Sequence, residues 1–408
     1  MTQSNAAIMD RLHHMTDDSV AWDRIPIIIN FNESAKFAET YGFTGSHGIV
    51  WLEGQHFLPR DKPSDTVFIV MHPSSTLQLL PFPGALASMG LHVICAGSRY
   101  ARNDAALIME KVCFDLGQYV RWAKDVAGYK RVILIGWSGG GSLALFYQSQ
   151  AEQPTITHTP AGDSYDLRGA NFLPADGVIF IAAHLSRAET LSEMIDPSVE
   201  NELDPDVRDL ELDIYDRNCP NQPPYSSDFI ARFRAAQLGR VRRITNWVDE
   251  ILVRLKTRQA DGEVERGFVV HRTWCDVRWL DLSIDTNGRR PNMTALGEPR
   301  MANSAPAGLA RFTSLRSWLS QWSIIRSQAN GTASARAVKK TPVLLIENEA
   351  DDGVPSTHTP TIFNTLGTSD KELVRIDGAN HYYVGQPEKL KECLSHIVAW
   401  CQRRKLLA

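Results

Sequence analysis

Residues 131–144 read RVILIGWSGGGSLA, a β-branched run that breaks into Gly136-Trp137-Ser138-Gly139-Gly140 and then into small helix formers. The pattern predicts a strand, a sharp turn and a helix, with Ser138 at the apex. A serine hydroxyl is a weak nucleophile until it is held out beside a base. A tight strand-to-helix turn does the holding and needs neighbours without bulk, which Gly136 and Gly140 supply on either side. The chemistry on offer is covalent attack on a carbonyl carbon. Two later stretches carry groups that could assist it. Pro342-Val-Leu-Leu-Ile346 reads as a buried strand running into Glu347-Asn-Glu-Ala-Asp351-Asp-Gly-Val-Pro355, and residues 372–377 alternate as a strand that enters Gly378-Ala-Asn-His381-Tyr-Tyr. Serine, then carboxylate, then histidine is the chain order in which such turns find their partners. Asp352 stands beside Asp351, with Glu347 and Glu349 just upstream, and Asp352 could instead cap a helix starting near Pro355.

The elements that must position these groups follow from periodicity. Residues 25–31, 48–58, 66–71 and 91–96 read as strands, and 108–126 as a helix with Val112, Leu116, Tyr119, Val120 and Ala123 on one face. Strands and helices alternating at this spacing imply a mainly parallel sheet covered on both faces, with ligands at the carboxyl ends of its strands. Ile179-Phe-Ile-Ala-Ala-His184 is another such strand, with no carboxylate at its end. From 185 to 327 no sheet pattern is visible. Ser186-Arg-Ala-Glu189 is a capping box. A long helix spans about 227–257, and a third carries Phe312, Leu315, Trp318, Leu319, Trp322 and Ile325. Residues 1–25 read as a polar arm with Trp22 as an anchor, 153–176 as a long loop at the site entrance or on the plain surface, and 328–340 as a mobile linker.

GWSGG, the ADDGVP turn and GANHYY together resemble the α/β-hydrolase-fold serine hydrolases, over residues 45–185 and 340–408. The resemblance implies an α/β fold: a mostly parallel, eight-stranded-type sheet with helices on both faces. A large, mainly helical cap would be inserted between strands 6 and 7. The core would then fall into 26–184 and 341–408, with the cap at 185–327. By position Ser138 resembles the family nucleophile, Asp351 the acid and His381 the base. The resemblance also implies two donors to an oxyanion: the N–H of Gly139, and one from the loop after the third strand. There His72-Pro73-Ser74 resembles a His-Gly-x turn with proline in place of glycine. Pro73 has no N–H, so Ser74 is the expected donor and His72 reads as bracing the loop.

The activity so implied is hydrolysis of a carboxylic ester or lactone through an acyl-enzyme, without a cofactor. The same triad could cleave an amide, a thioester or the carbon–carbon bond of a vinylogous diketone, or pass the acyl group to an alcohol. A ligand receptor with a vestigial triad is the alternative outside enzymes. The cap holds Trp247, Trp274, Trp279, Trp318 and Trp322 with Tyr215 and Tyr225, which favours a bulky apolar or aromatic substrate. His72, Trp137, His184, Trp318 and Trp322 are the expected contacts, Trp137 reading first as buried support. Arg242 and Arg243 on the long helix read as a solvated face or as a carboxylate anchor.

Composition fits a globular enzyme: 408 residues, 43% hydrophobic and 22% charged. A formal net charge of -4 gives no reason to expect nucleic acid. The six cysteines lack C-x-x-C pairing, and no cluster has metal-ligand spacing. The adjacent His13 and His14 lie in the polar arm. Glycines 139–141 lack the Lys-Ser/Thr of a phosphate loop. No stretch has the length of a membrane span and the N-terminus has no signal-peptide pattern, so a cytoplasmic protein is expected. Apolar cap helices could bury a homodimer contact as readily as a pocket.

Overall fold

Valine- and isoleucine-rich runs become strands of one sheet. The structure, a computed structural model, describes residues 19–33, 48–258 and 262–407. Most of the polar arm, with His13 and His14, lies outside them. In chain order the strands are β1 (Trp22–Asn32), β2 (Ile49–Pro59), β3 (Thr66–Met71), β4 (His92–Ala96), β5 (Arg131–Trp137), β6 (Gly177–Ile181), β7 (Gly267–Val269), β8 (Phe312–Ser314), β9 (Val343–Asn348) and β10 (Lys371–Ile376). Eight of them form the main sheet in the order β1-β2-β4-β3-β5-β6-β9-β10. β2 runs antiparallel to both its neighbours, and every other pairing is parallel. This is the mostly parallel α/β architecture that the resemblance implied. Strand β1 begins at Trp22, inside the expected arm. Trp22 does anchor it, stacking on Phe57 at 4.9 Å and donating its indole N–H to Ser88 Oγ.

Eight helices matter for the site: α1 (Pro81–Ser88), α2 (Met109–Asp125), α3 (Gly139–Glu152), α4 (Arg187–Met194), α5 (Ser227–Thr257), α6 (Gly331–Ala337), α7 (His358–Thr365) and α8 (Pro387–Arg403). Alternate side chains of each inner strand serve opposite faces. Val67, Ile69 and Met71 of β3 join the core under α2, α3, α6 and α7, whereas Phe68 and Val70 join the core under α1 and α8. Covering on both faces is why β3, β5 and β6 read as unbroken apolar runs.

Between β6 and β9 the chain leaves the main sheet and builds a core of its own from Leu191, Val241, Ile244, Val248, Trp318, Leu319 and Trp322. The serine half of the expected capping box is formed, Ser186 Oγ accepting the Glu189 N–H at 3.0 Å. Helix α5 has the expected limits, with Ser226 Oγ accepting from Phe229 N. Two expectations for this stretch are corrected. First, it does contain strand: β7 and β8 pair as an antiparallel ribbon. The predicted helix from Phe312 therefore starts only at Leu315, where Ser314 is its N-cap and the Glu265 carboxylate accepts the N–H groups of Leu315 and Arg316. It continues as a π-helical turn over Trp318–Trp322. Phe312 and Ile325, which completed the apolar stripe on paper, are 57% and 50% exposed. Second, residues 331–337 are helix rather than mobile linker. Asn330 caps α6 by accepting from Ala333 N, and Ala335 is fully buried. The small residues there serve close packing.

Loop 153–176 docks on the inserted segment, where the Pro160 and Ala161 carbonyls accept from Arg326 and Lys256 and Asp163 pairs with Arg316. All six cysteines lie within the described residues, buried and free. Among the described residues no helix is long and apolar enough to cross a membrane, and no group of His, Cys and carboxylate side chains is placed to hold a metal ion.

Candidate active site

His72, Ser138, His184, Asp351 and His381 all sit just past the carboxyl ends of parallel strands: β3, β5, β6, β9 and β10. At the first bend, Ser138 adopts φ 54° and ψ -126°, a conformation costly for a residue with a Cβ, and α3 begins at the next residue. Close approach explains the flanking glycines: a Cβ on Gly136 would lie 2.7 Å from Gly141 Cα, and one on Gly140 would strike the Met71 carbonyl. The strained turn thrusts the Ser138 hydroxyl away from the sheet, towards the loops after β9 and β10.

The three side chains meet in series. His381 Nε2 lies 3.0 Å from Ser138 Oγ. His381 Nδ1 lies 3.0 Å and 3.2 Å from the two Asp351 carboxylate oxygens. Asp351 is 5% exposed and His381 2%, whereas Ser138 is only half-buried. Asp351 is itself held, its Oδ1 accepting the N–H groups of Gly353 at 2.7 Å and Val354 at 2.8 Å. Asp352 does not cap a helix. It accepts the backbone N–H of His381 at 3.3 Å, bracing the loop rather than the imidazole. Burial disfavours the imidazolium of His381, but the Asp351 carboxylate and its hydrogen bond outweigh this, so the pKa stands above the ordinary value.

The inserted segment grips the loop that carries Asp351. Asn287 Nδ2 donates to the Asp351 carbonyl at 3.0 Å, Ala295 N to the Asp352 carbonyl at 2.7 Å, and Gly288 N to Glu349 Oε1 at 2.7 Å. None of these contacts had a signal in the sequence, because all come from irregular chain in 285–297. A cavity of about 360 Å³ opens beside this junction, lined by Arg289, Met293, Ala295, Asp352 and Tyr382 among others. The Tyr382 ring packs edge-on against His381 at 4.4 Å.

Around Ser138 the other expected residues divide. Trp137 is buried, donates its indole N–H to the His381 carbonyl at 3.2 Å and packs on Phe82 and Tyr383. Trp318 is fully buried and donates to Thr245 Oγ1, and Trp322 lies under the Arg187 guanidinium at 4.2 Å. These tryptophans are consumed in packing, as are Trp274 and Trp279, stacked 6.0 Å apart. Arg243 is tied to Glu202 and the Val199 carbonyl. His72 and His184 remain half-open beside Ser138. His184 N donates to the Ser138 carbonyl at 3.0 Å, and its ring pairs with Thr190 Oγ1 at 2.9 Å. Ser74 is not free as expected: its N–H is committed to His72 Nδ1 at 3.1 Å. Gly139, by contrast, heads α3, where backbone N–H groups have no partner within the helix.

Neither a protein-family model nor a curated protein sequence matches the chain. Solved structures do. The complex of DcsB with its substrate analogue is 12% identical with a TM-score of 0.49, covering 94% of this chain and 99% of that one. The esterase domain of a Rhodothermus marinus protein is 13% identical with a TM-score of 0.43, covering 93% and 98%. A monoacylglycerol lipase from Paleococcus ferrophilus is 14% identical with a TM-score of 0.42, covering 86% and 97%. On its own strand order, with a strained serine turn after β5 and the histidine after the last strand, the chain has the α/β-hydrolase fold.

Proposed function

We propose that the protein is a serine hydrolase of carboxylic esters, lactones included. The observation that carries this reading is the unbroken hydrogen-bonded series from Asp351 through His381 to Ser138. Ser138 Oγ attacks the ester carbonyl as His381 Nε2 takes its proton, and the Asp351 carboxylate steadies the imidazolium through Nδ1–H. Collapse of the tetrahedral intermediate expels the alcohol, which takes the proton back from His381. Water, deprotonated by the same Nε2, then releases the acid and frees Ser138. The first oxyanion donor is the Gly139 N–H at the positive end of α3. A bulky aromatic substrate has no support from Trp274, Trp279, Trp318 and Trp322, which are packed away.

The direct test is covalent. A fluorophosphonate should label the folded protein at Ser138, located by peptide mass spectrometry, and p-nitrophenyl esters should show turnover that labelling blocks. Folded protein that takes no label and turns over no ester refutes the proposal and revives the receptor reading. The pH profile is a second check. His381 must be neutral to act as base, and the Asp351 carboxylate holds its pKa above the ordinary imidazole value. Activity is therefore lost as pH falls through that raised value. The acid limb of kcat/KM should inflect above pH 6.5, and a limb lying below it would hand the base role to another group.

A further inference from the structure

In the loop after β3 the two amides that follow Pro73 are not free to reach an oxyanion, because both are held by the His72 ring, which braces the loop as expected. Pro73 has no N–H, and the next two amides both turn back: Ser74 N donates to His72 Nδ1 at 3.1 Å and Ser75 N at 2.9 Å. A ring nitrogen that accepts two N–H groups carries no proton, so the proton of the neutral imidazole sits on Nε2. That nitrogen faces the serine turn. A Cβ built on Gly139 would lie 2.5 Å from it. We infer that the Nε2–H of His72 is the second oxyanion donor, standing beside the Gly139 N–H in place of a backbone amide.

Three features fit this role. The loop is pinned, with the Pro73 carbonyl accepting from Ser98 Oγ at 2.5 Å and the Ser74 carbonyl from Arg102 N at 2.6 Å, so the donor is fixed before substrate arrives. Burial, with the charges of Arg187 and His381 behind it, pushes the His72 pKa down to about 3, so the ring stays neutral and keeps this tautomer. Arg187, 8% exposed and paired with Asp104 at 2.6 Å, lies close enough to His72 for its charge to disfavour a protonated ring. The absence of a side chain at 139 has the same logic: only a bare Cα lets the imidazole come this close.

This inference rests on Ser138 being the nucleophile, and the two can fail separately. Wild-type protein is treated first with a fluorophosphonate; without a Ser138 adduct both readings fall. With the adduct in hand, His72→Ala is expected to lower kcat on p-nitrophenyl butyrate by about 10²-fold or more while KM moves less than about threefold. His72→Gln, whose amide N–H reaches the Nε2 position, should regain at least about tenfold over His72→Ala. A His72→Ala kcat within about threefold of wild type, or a loss that His72→Gln does not relieve, overturns the inference alone. Because either variant frees the Ser74 and Ser75 amides, one measurement leaves the loop untouched. In wild-type protein labelled with ¹⁵N-histidine, a trifluoromethyl ketone adduct on Ser138 should move the His72 Nε2 proton downfield. A resonance that does not move overturns the inference.

Discussion

Ser138→Ala should lower kcat on a p-nitrophenyl ester by about 10³-fold or more and abolish fluorophosphonate labelling, while the thermal midpoint reports a stability change within about 1 kcal/mol. The large kinetic effect follows because no other hydroxyl stands 3.0 Å from His381 Nε2 among the hydrogen bonds of the described residues. The small stability effect follows from the site. Ser138 is half-buried, the atom removed is one oxygen, and the His381–Asp351 pair survives its loss. Backbone strain sharpens the test. At φ 54° and ψ -126° alanine is as strained as serine, whereas glycine is not. Ser138→Gly should therefore be as inactive as the alanine variant yet more stable than wild type, by about 1 kcal/mol, in a thermal melt. Inactivity with a raised melting point would mark a residue kept in a poor conformation for its chemistry. Retained turnover in either variant would remove Ser138 from the reaction.

The legible parts of the sequence are those where one local requirement dictates residue type. The turn at 136–140 needs residues without bulk, and the closeness of Met71 and Gly141 shows why. Helix α5 announces itself through the Ser226 cap, Asp228 in its first turn and a long apolar stripe, and it runs as expected. The parallel strands are legible because they are buried on both faces. Legibility ends where burial has more than one cause. Trp318 and Trp322 look alike in sequence whether a ligand or another side chain covers them, and here it is Thr245 and Arg187. The stripe from Phe312 to Ile325 is helical on paper, but Ser314 is more useful as a cap and an edge-strand residue than as a helix interior. Small residues at 331–337 suggested flexibility when their function is contact: a Cβ on Gly331 would collide with the Leu185 carbonyl. The direction of the Ser74 amide could not be read at all, since it depends on a ring two residues away. The Pro73 departure nevertheless marked the place where the usual donor would be missing.

The adjacent aspartates give the second large expected effect, because the sequence alone left them almost interchangeable. Asp351→Asn should lower kcat on a p-nitrophenyl ester by about 10⁴-fold, while Asp352→Asn should stay within about tenfold of wild type. The carboxylate of Asp351 can only accept, so it forces the His381 proton onto Nδ1 and leaves Nε2 bare to take the serine proton. Asp351 Oδ1 also accepts from Gly353 and Val354, so a carboxamide keeps its oxygen there and brings its NH₂ to the Oδ2 place, 3.2 Å from the same ring nitrogen. That donor competes with the oxygen for Nδ1 and shifts the ring towards the Nε2–H tautomer, which blocks deprotonation of Ser138. The acid limb of the pH profile should move down with the lost charge, since the Asp351 carboxylate is what raises the imidazole above its ordinary pKa. The Asp352 carboxylate accepts the backbone N–H of His381, at 3.3 Å, and an asparagine oxygen can accept that bond equally well. Should the two variants exchange their effects in steady-state kinetics, the hydrogen-bonded series would have to run through Asp352, with the loop after β9 rearranged to bring it onto Nδ1.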